Sequence, residues 1–385
     1  FMKFAFSTAN EILFGPGTLQ AGAGKISRMA KRVMVVTGCN RRRARALTDL
    51  LARAGTDHVL FSVGGEPKVQ DARDGAEIAR REKVDAVVGF GGGGALDGAK
   101  AVAALAANTE PVETYLEVIG QGLPLPNRPL ACIAVPTTAG TGSEVTRNAV
   151  LCSPEHRVKV SLRSPMMLPC LAIVDPETTY ELPPEITAAT GCDALTQLLE
   201  AYVSSKANPM TDAFCRQGLP GAAQALETVY EDGGNTRARS RMALAALFSG
   251  LALANGGLGA VHGIAGPLGG MLEASHGAVC AALLPHVFAV NFSLISRRAP
   301  QSPVMARFGK TARMITGSSS ARAADGIAAL HRLTSGLKIP PLSRWGLTPA
   351  QVPELVAKAG KASSMKGNPI ELTPGDIEEI IQRAM

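Results

Sequence analysis

Aromatic residues make up only 4% of this 385-residue chain and charged residues only 18%. Few aromatics argue against a base-stacking surface for single-stranded nucleic acid. Few charges beside 46% hydrophobic residues exclude an intrinsically disordered chain. No Cys-x-x-Cys occurs among Cys39, Cys132, Cys152, Cys170, Cys192, Cys215 and Cys280. Their odd number and irregular spacing argue against a disulfide framework or a cysteine zinc knuckle. No G-X-Y period accompanies the 41 glycines, which excludes a collagen. No N-terminal signal pattern is visible, so a cytoplasmic protein is expected.

Charge is also absent from residues 242–272, which hold no Asp, Glu, Lys or Arg. Length alone would admit a membrane span. Eight glycines, Pro267, Asn255 and His262 interrupt the stretch, so a buried helical region and no membrane partner are expected. The net charge of +7 is spread along the chain, with Arg41-Arg42-Arg43 its densest cluster. That is a solvated, mildly basic surface, and no nucleic-acid partner is expected.

What is present divides into two halves. Apolar, β-branched runs at 32–37, 57–63, 84–90, 131–135 and 171–174 alternate with helical patterns, notably 69–82 and 95–107. Alternation of this kind predicts an α/β fold with a parallel sheet. Residues 4–7 and 11–14 suggest a small extra N-terminal sheet, and 158–162 another short strand. Beyond residue 180 the patterns are helical: 186–203, 211–229, 236–254, 278–293, 321–337 and 374–385. The expected domains are therefore 1–180, α/β and nucleotide-binding, and 181–385, all-helical.

Gly91-Gly92-Gly93-Gly94 follows the third of these strands and opens a helix. Bare backbone N–H groups at a helix N-terminus suit a phosphate. Asp97 falls in the first turn and Lys100 one turn on. A second loop, 136–146, carries Thr137, Thr138, Thr141, Ser143 and Thr146 with two glycines. Both loops leave the C-terminal ends of predicted parallel strands, where open α/β sheets bind ligands. In the helical half, Asp193 and Gln197 are four apart and share a helix face. His262 and His276 lie further on, and a carboxylate with two imidazoles can hold iron or zinc.

Taken together these segments resemble the iron-containing, group III alcohol dehydrogenases. GFGGGGALDGAK at 89–100 is similar to that family's GGGSxxDxAK segment, and VPTTAGTGSEVT at 135–146 to its second nucleotide loop. Residues 158–176 resemble the segment closing its first domain. GCDALTQLLEAYVS at 191–204 resembles its first metal-ligand helix. NGGLGAVHGIAGPLGG at 255–270 and HGAVCAALLPHV at 276–287 resemble its second ligand region.

The resemblance implies the dehydroquinate-synthase-like architecture and NAD(P)-dependent hydride transfer between nicotinamide and a small alcohol, aldehyde or keto substrate. It implies cofactor contacts from Gly91, Gly92, Gly93, Asp97, Thr137, Thr138, Thr141, Ser143 and Lys159. It places Asp193, His262 and His276 at catalytic metal-ligand positions, for a divalent metal such as iron or zinc. It also implies a homo-oligomer, a dimer or larger.

Three positions depart from the family. The fourth ligand, a histidine in the family, is Gln197, whose carboxamide oxygen is the weaker ligand. A second histidine position, used near the substrate, is Gly266. An acidic residue that often follows the first long strand is Gly38, beside Arg41, Arg42 and Arg43. Loss of that carboxylate next to arginines favours NADP over NAD. Two other readings stay open here: a metal-independent reductase of an acidic carbonyl compound, with Arg147 pairing its carboxylate, or a nucleotide-binding protein without turnover.

Overall fold

The computed structural model describes residues 3–385. It divides into two compact units. The first holds Ser7–Tyr180, and the second holds Glu181–Met385 together with Phe6, whose ring stacks on Phe214 with centroids 5.7 Å apart.

The first unit is built on strands β1 (Glu11–Phe14), β2 (Arg32–Thr37), β3 (Asp57–Ser62), β4 (Ala86–Gly91), β5 (Ala131–Pro136) and β8 (Leu171–Val174). They form one sheet in the order β1-β8-β5-β4-β2-β3, with every pairing parallel. Helices α1 (Thr18–Met29), α2 (Arg45–Arg53), α3 (Val69–Arg81) and α4 (Gly93–Ala107) accompany them. The period of two along β2 explains how both faces are covered. Val33 and Val35 enter one apolar cluster with Ile26, Leu47 and Leu51 of α1 and α2. Met34 and Val36 point the other way, into a cluster with Ala79 of α3 and Ala99 and Val102 of α4. A strand buried on both faces needs the unbroken apolar run seen in the sequence.

One expectation is corrected and another is borne out. Residues 11–14 do not pair with 4–7; β1 lies at the edge of the main sheet, Glu11 opposite Leu171 and Phe14 opposite Val174. A four-residue apolar run carries no information about which edge it will extend. Residues 158–162 do form a strand, but its partner was not foreseen. β6 (Asn148–Ser153) and β7 (Val158–Arg163) make an antiparallel hairpin, with Cys152 opposite Lys159.

The second unit is helical, with no strand among its described residues. Its helices are α5 (Pro184–Val203), α6 (Pro209–Glu231), α7 (Thr236–Gly256), α8 (Ala260–Met271), α9 (His276–Arg298), α10 (Val304–Thr316), α11 (Ala323–Gly336), α12 (Val352–Gly360) and α13 (Pro374–Ala384). The uncharged stretch 242–272 becomes the end of α7, a turn at Gly257 (φ 69°) and α8, bent by 97° from α7. By length and composition α9 could cross a membrane, but 72% of its most apolar window is buried inside the protein. α5 is buried along nearly its whole length from Thr187 to Val203. It presents acidic and amide side chains to an interior formed with α8 and α9.

Candidate functional site

Two constellations emerge, one in each unit. In the first, β4 ends at Gly91, Gly92 is extended (φ −75°, ψ −174°), and Gly93 and Gly94 form the first turn of α4. No side chain caps that helix start. The glycines are required by close approaches. A Cβ on Gly94 would lie 2.1 Å from the carbonyl oxygen of Gly65, and one on Gly93 would lie 2.6 Å from Thr141. Thr137 N–H donates to the Gly91 carbonyl at 2.8 Å, and Thr138 packs beside Gly92. Gly38, at the end of β2, lies beside Gly91. The structure therefore brings Gly38, Gly91–Gly94 and the hydroxyl-rich loop to one edge of one sheet. That edge combines an uncapped helix N-terminus with bare backbone, the chemistry of a phosphate cradle.

Asp97, Ser143 and Lys159 are engaged within the protein. Asp97 accepts from Ser143 Oγ at 2.5 Å and from Val150 N–H at 2.9 Å, and it pairs with Lys100 Nζ at 3.0 Å. Lys100 is buried and also donates to the Ser143 carbonyl, the Thr146 hydroxyl and the Asn148 carbonyl. These two side chains tie the second loop and β6 to α4. Lys159 pairs with Glu66 at 2.6 Å. Glu144, in the same loop, is 2% exposed. Burial raises its carboxyl to about 7, against the opposing pull of its own backbone N–H and of Lys100.

The second constellation lies among α5, α8 and α9. Asp193 of α5 faces His262 of α8, with Oδ1 to Nε2 at 3.2 Å, and lies 3.9 Å from Nε2 of His276 at the start of α9. The two imidazole rings are 5.5 Å apart. A fourth donor joins them. Cys280, one turn beyond His276, places Sγ 3.6 Å from His276 Nε2. One donor atom from each of Asp193, His262, His276 and Cys280 lies within 4.8 Å of every other. Sequence reasoning missed Cys280, although its i,i+4 spacing from His276 was available.

Sequence reasoning also missed Glu200, two turns along α5 from Asp193. Its Oε2 lies 2.6 Å from His262 Nδ1, and its Oε1 accepts from Val261 N–H at 2.7 Å. Facing a carboxylate, Nδ1 donates to it, and Nε2, which faces Asp193 Oδ1, is the nitrogen that a bound cation would take. Gln197, on the same face of α5 as Asp193, is hydrogen-bonded through both ends of its amide. Its amide nitrogen donates to Asp193 Oδ2 at 3.0 Å, and its carbonyl oxygen accepts from Ser249 Oγ at 2.6 Å.

Charge in this pocket is strongly coupled. Burial acts against ionisation of Asp193, but His262 and His276 outweigh it and hold the carboxyl below its usual range. Burial likewise opposes charge on His262, yet Cys280, Asp193 and Glu200 keep its imidazolium well above the usual range. The Cys280 thiol is lowered, because His276 and His262 overcome its burial. The other buried cysteines behave in the opposite way: burial lifts Cys132 and Cys192 to about 12. A carboxylate, two imidazoles and an acidified thiol converging from three helices fit a divalent transition metal.

The family model described as iron-containing alcohol dehydrogenase matches residues 9–176, and the C-terminal model of the same family matches 187–385. The chain belongs to the iron-containing alcohol dehydrogenase family. It is 35% identical over 396 residues to 1,3-propanediol dehydrogenase of Klebsiella pneumoniae, covering 100% of this chain and 99% of that protein. It is 33% identical over 370 residues to the NAD-dependent methanol dehydrogenase of Bacillus methanolicus, covering 95% and 93%. A crystal structure of 1,3-propanediol oxidoreductase superposes with a TM-score of 0.92 at 32% identity, covering both chains fully. As a member of this family the protein is an alcohol dehydrogenase-type oxidoreductase of small alcohol or aldehyde substrates, using NAD(P) and a divalent metal. Within this alcohol dehydrogenase, Gly266 of α8 faces open space: nothing lies within 4 Å of where its Cβ would be.

Proposed function

We propose that this chain is an NAD(P)-dependent alcohol dehydrogenase and carbonyl reductase with a metal-assisted site. The observation that carries the reading is the convergence of Asp193, His262, His276 and Cys280 within 4.8 Å. When bound there, a divalent metal supplies Lewis acidity, polarising a carbonyl in reduction and stabilising an alkoxide in oxidation. The protein's own residues do the rest. Glu200 fixes the His262 tautomer. Gln197 holds Asp193 through Oδ2 and leaves Oδ1 toward the imidazoles. Gly266 offers no side chain for proton transfer, so a cofactor ribose hydroxyl, water or a nearby polar group takes that part. The same absence leaves room for a substrate bulkier than a short alcohol.

In this reading residues 1–180 bind the dinucleotide and 181–385 bind metal and substrate. Gly91, Gly92 and Gly93 hold the pyrophosphate on backbone N–H groups, with Thr137, Thr138 and Thr141 lining the same edge. Asp97 and Ser143 tie the second loop to α4 beneath that edge, and Lys159 pairs with Glu66. The preferred cofactor is NADP. Gly38 removes the carboxylate that would repel a 2′-phosphate. Of the three arginines, Arg41 donates to Ser62 and Arg43 to the Thr178 carbonyl, while Arg42 is exposed and makes no side-chain hydrogen bond among the described residues. The protein works as a cytoplasmic homo-oligomer without nucleic-acid or membrane partners.

The test is a metal assay of the purified protein together with NADH and NADPH turnover on aldehydes and keto acids. Loss of turnover on chelation and its return with metal support the reading. Full turnover in metal-free protein overturns it.

A further inference from the structure

We propose that Cys280 is the fourth metal ligand of this chain, taking over from the absent histidine at position 197 and giving an Asp–His–His–Cys site that selects zinc over iron. This rests on the metal-assisted reading above and goes beyond it in naming the ligand set and the metal.

Position 197 cannot supply the missing ligand as the side chain stands. A carboxamide ligates through oxygen, and the Gln197 oxygen is held by Ser249 at 2.6 Å. What Gln197 turns toward Asp193 is its NH2 group, a donor with no lone pair to offer a cation. Three ligands alone would leave Asp193, His262 and His276 with an incomplete shell on the protein side. Cys280 completes it. Helical geometry sets it on the face of α9 that carries His276, four residues and one turn away. Its Sγ is fully buried and converges on the same point as the other three donors.

The approach of α9 to α5 is built for this. A Cβ on Gly277 would lie 2.2 Å from the Ala189 carbonyl oxygen and 3.4 Å from Asp193 Cβ. Only glycine there lets α9 come close enough for His276 and Cys280 both to reach Asp193. The choice of metal follows from charge and softness. A carboxylate and a thiolate together neutralise a divalent ion in a buried site, and thiolate favours zinc over a harder ferrous ion.

The experiment uses the full chain, stripped by chelation and reloaded with cobalt(II) chloride or zinc chloride. Wild-type protein with one cobalt per chain is expected to show a sulfur-to-cobalt charge-transfer band in the near ultraviolet beside visible d–d bands. Cys280→Ser is expected to lose the charge-transfer band and to bind zinc at least about 10-fold more weakly, the lower bound for disturbing a metal site's supporting groups. The buried-cysteine control Cys192→Ser is expected to keep the band. Because Cys280→Ser could disturb folding, the wild-type spectrum decides on its own. Stoichiometric cobalt with d–d bands and no charge-transfer band overturns Cys280 as ligand and leaves the metal-assisted reading standing. Failure of wild type to bind cobalt or zinc overturns both. Competition of equal zinc and ferrous iron that loads iron overturns the metal preference.

Discussion

Glu200 and His262 are joined at 2.6 Å, and the same carboxylate closes the first turn of α8 through Val261 N–H at 2.7 Å. One side chain thus caps a helix and decides which nitrogen of that helix's histidine faces the donor cluster. A carboxylate only accepts, so His262 Nδ1 must donate to it, which leaves Nε2 as the nitrogen whose proton a bound metal would displace. Glu200→Gln tests this directly. The amide oxygen can still cap Val261, but the NH2 then donates to Nδ1 and moves the ring proton to Nε2. Zinc affinity is expected to fall about 10–100-fold, with a loss of stability near 1 kcal/mol because the cap survives. Calorimetric zinc titration and thermal melts measure the two. Unchanged affinity would mean that Glu200 serves the helix alone.

Two glycines near this pocket make opposite predictions. At Gly277 an added Cβ meets the Ala189 carbonyl oxygen at 2.2 Å, so Gly277→Ala must push α9 from α5. A destabilisation of about 1–3 kcal/mol is expected, with reduced metal content even in the folded fraction. At Gly266 nothing lies within 4 Å, so Gly266→His should fit. Its stability is expected to stay within about 0.5 kcal/mol of wild type, since helix propensity slightly favours histidine over glycine. Denaturant unfolding with metal analysis of each variant decides. Equal costs at the two positions would contradict the packing described for α9.

Why some of this was legible in the chain and some not comes down to the range of the information. β2 and β4 announce themselves, because strands buried on both faces need continuous apolar runs and phosphate-type turns need glycine. The edge pairing of β1 with β8 joins residues about 160 apart, and no local pattern encodes it. β6 was missed because it follows directly on a hydroxyl-rich loop, and its six residues include Asn148, Cys152 and Ser153. In the helical unit, Asp193, His262 and His276 stood out through resemblance. Cys280 did not, because cysteine was weighed by Cys-x-x-Cys spacing and not against the histidine one turn before it. Glu200 reads as an ordinary helical acid until the fold places α8 against it.

Glu144 should leave a signature in the pH dependence of stability. Its carboxyl is raised from 4.5 to about 7 in the folded protein, chiefly by burial. A raised pKa means that the folded state binds the proton more tightly than the unfolded chain. The associated stability is therefore complete below pH 4.5, declines between 4.5 and about 7, and is absent above that. Glu144→Gln, which mimics the neutral form, should flatten this part of the profile. The stability of the variant relative to wild type is expected to rise by on the order of 3 kcal/mol from pH 4.5 to pH 8. Urea unfolding at a series of pH values reads it. Parallel profiles for the two proteins would show that Glu144 is ionised without penalty.

The cofactor preference turns on Gly38. Its φ is not in the left-handed region and nothing lies within 4 Å of an added Cβ, so Gly38→Asp introduces a carboxylate without displacing the backbone. The new charge sits at the end of β2, beside Gly91 and the start of the basic Arg41–Ala44 turn. An acid there accepts from a ribose 2′-OH and repels a 2′-phosphate. The variant is expected to lose at least about tenfold in kcat/KM with NADPH, a change worth about 1.4 kcal/mol, and to hold or gain with NADH. Arg42→Ala should weaken NADPH alone, since that guanidinium is not committed to Ser62 or Thr178 as its neighbours are. If both variants shift the two cofactors equally, Gly38 and Arg42 do not read the 2′ position, and the arginines only coat the surface.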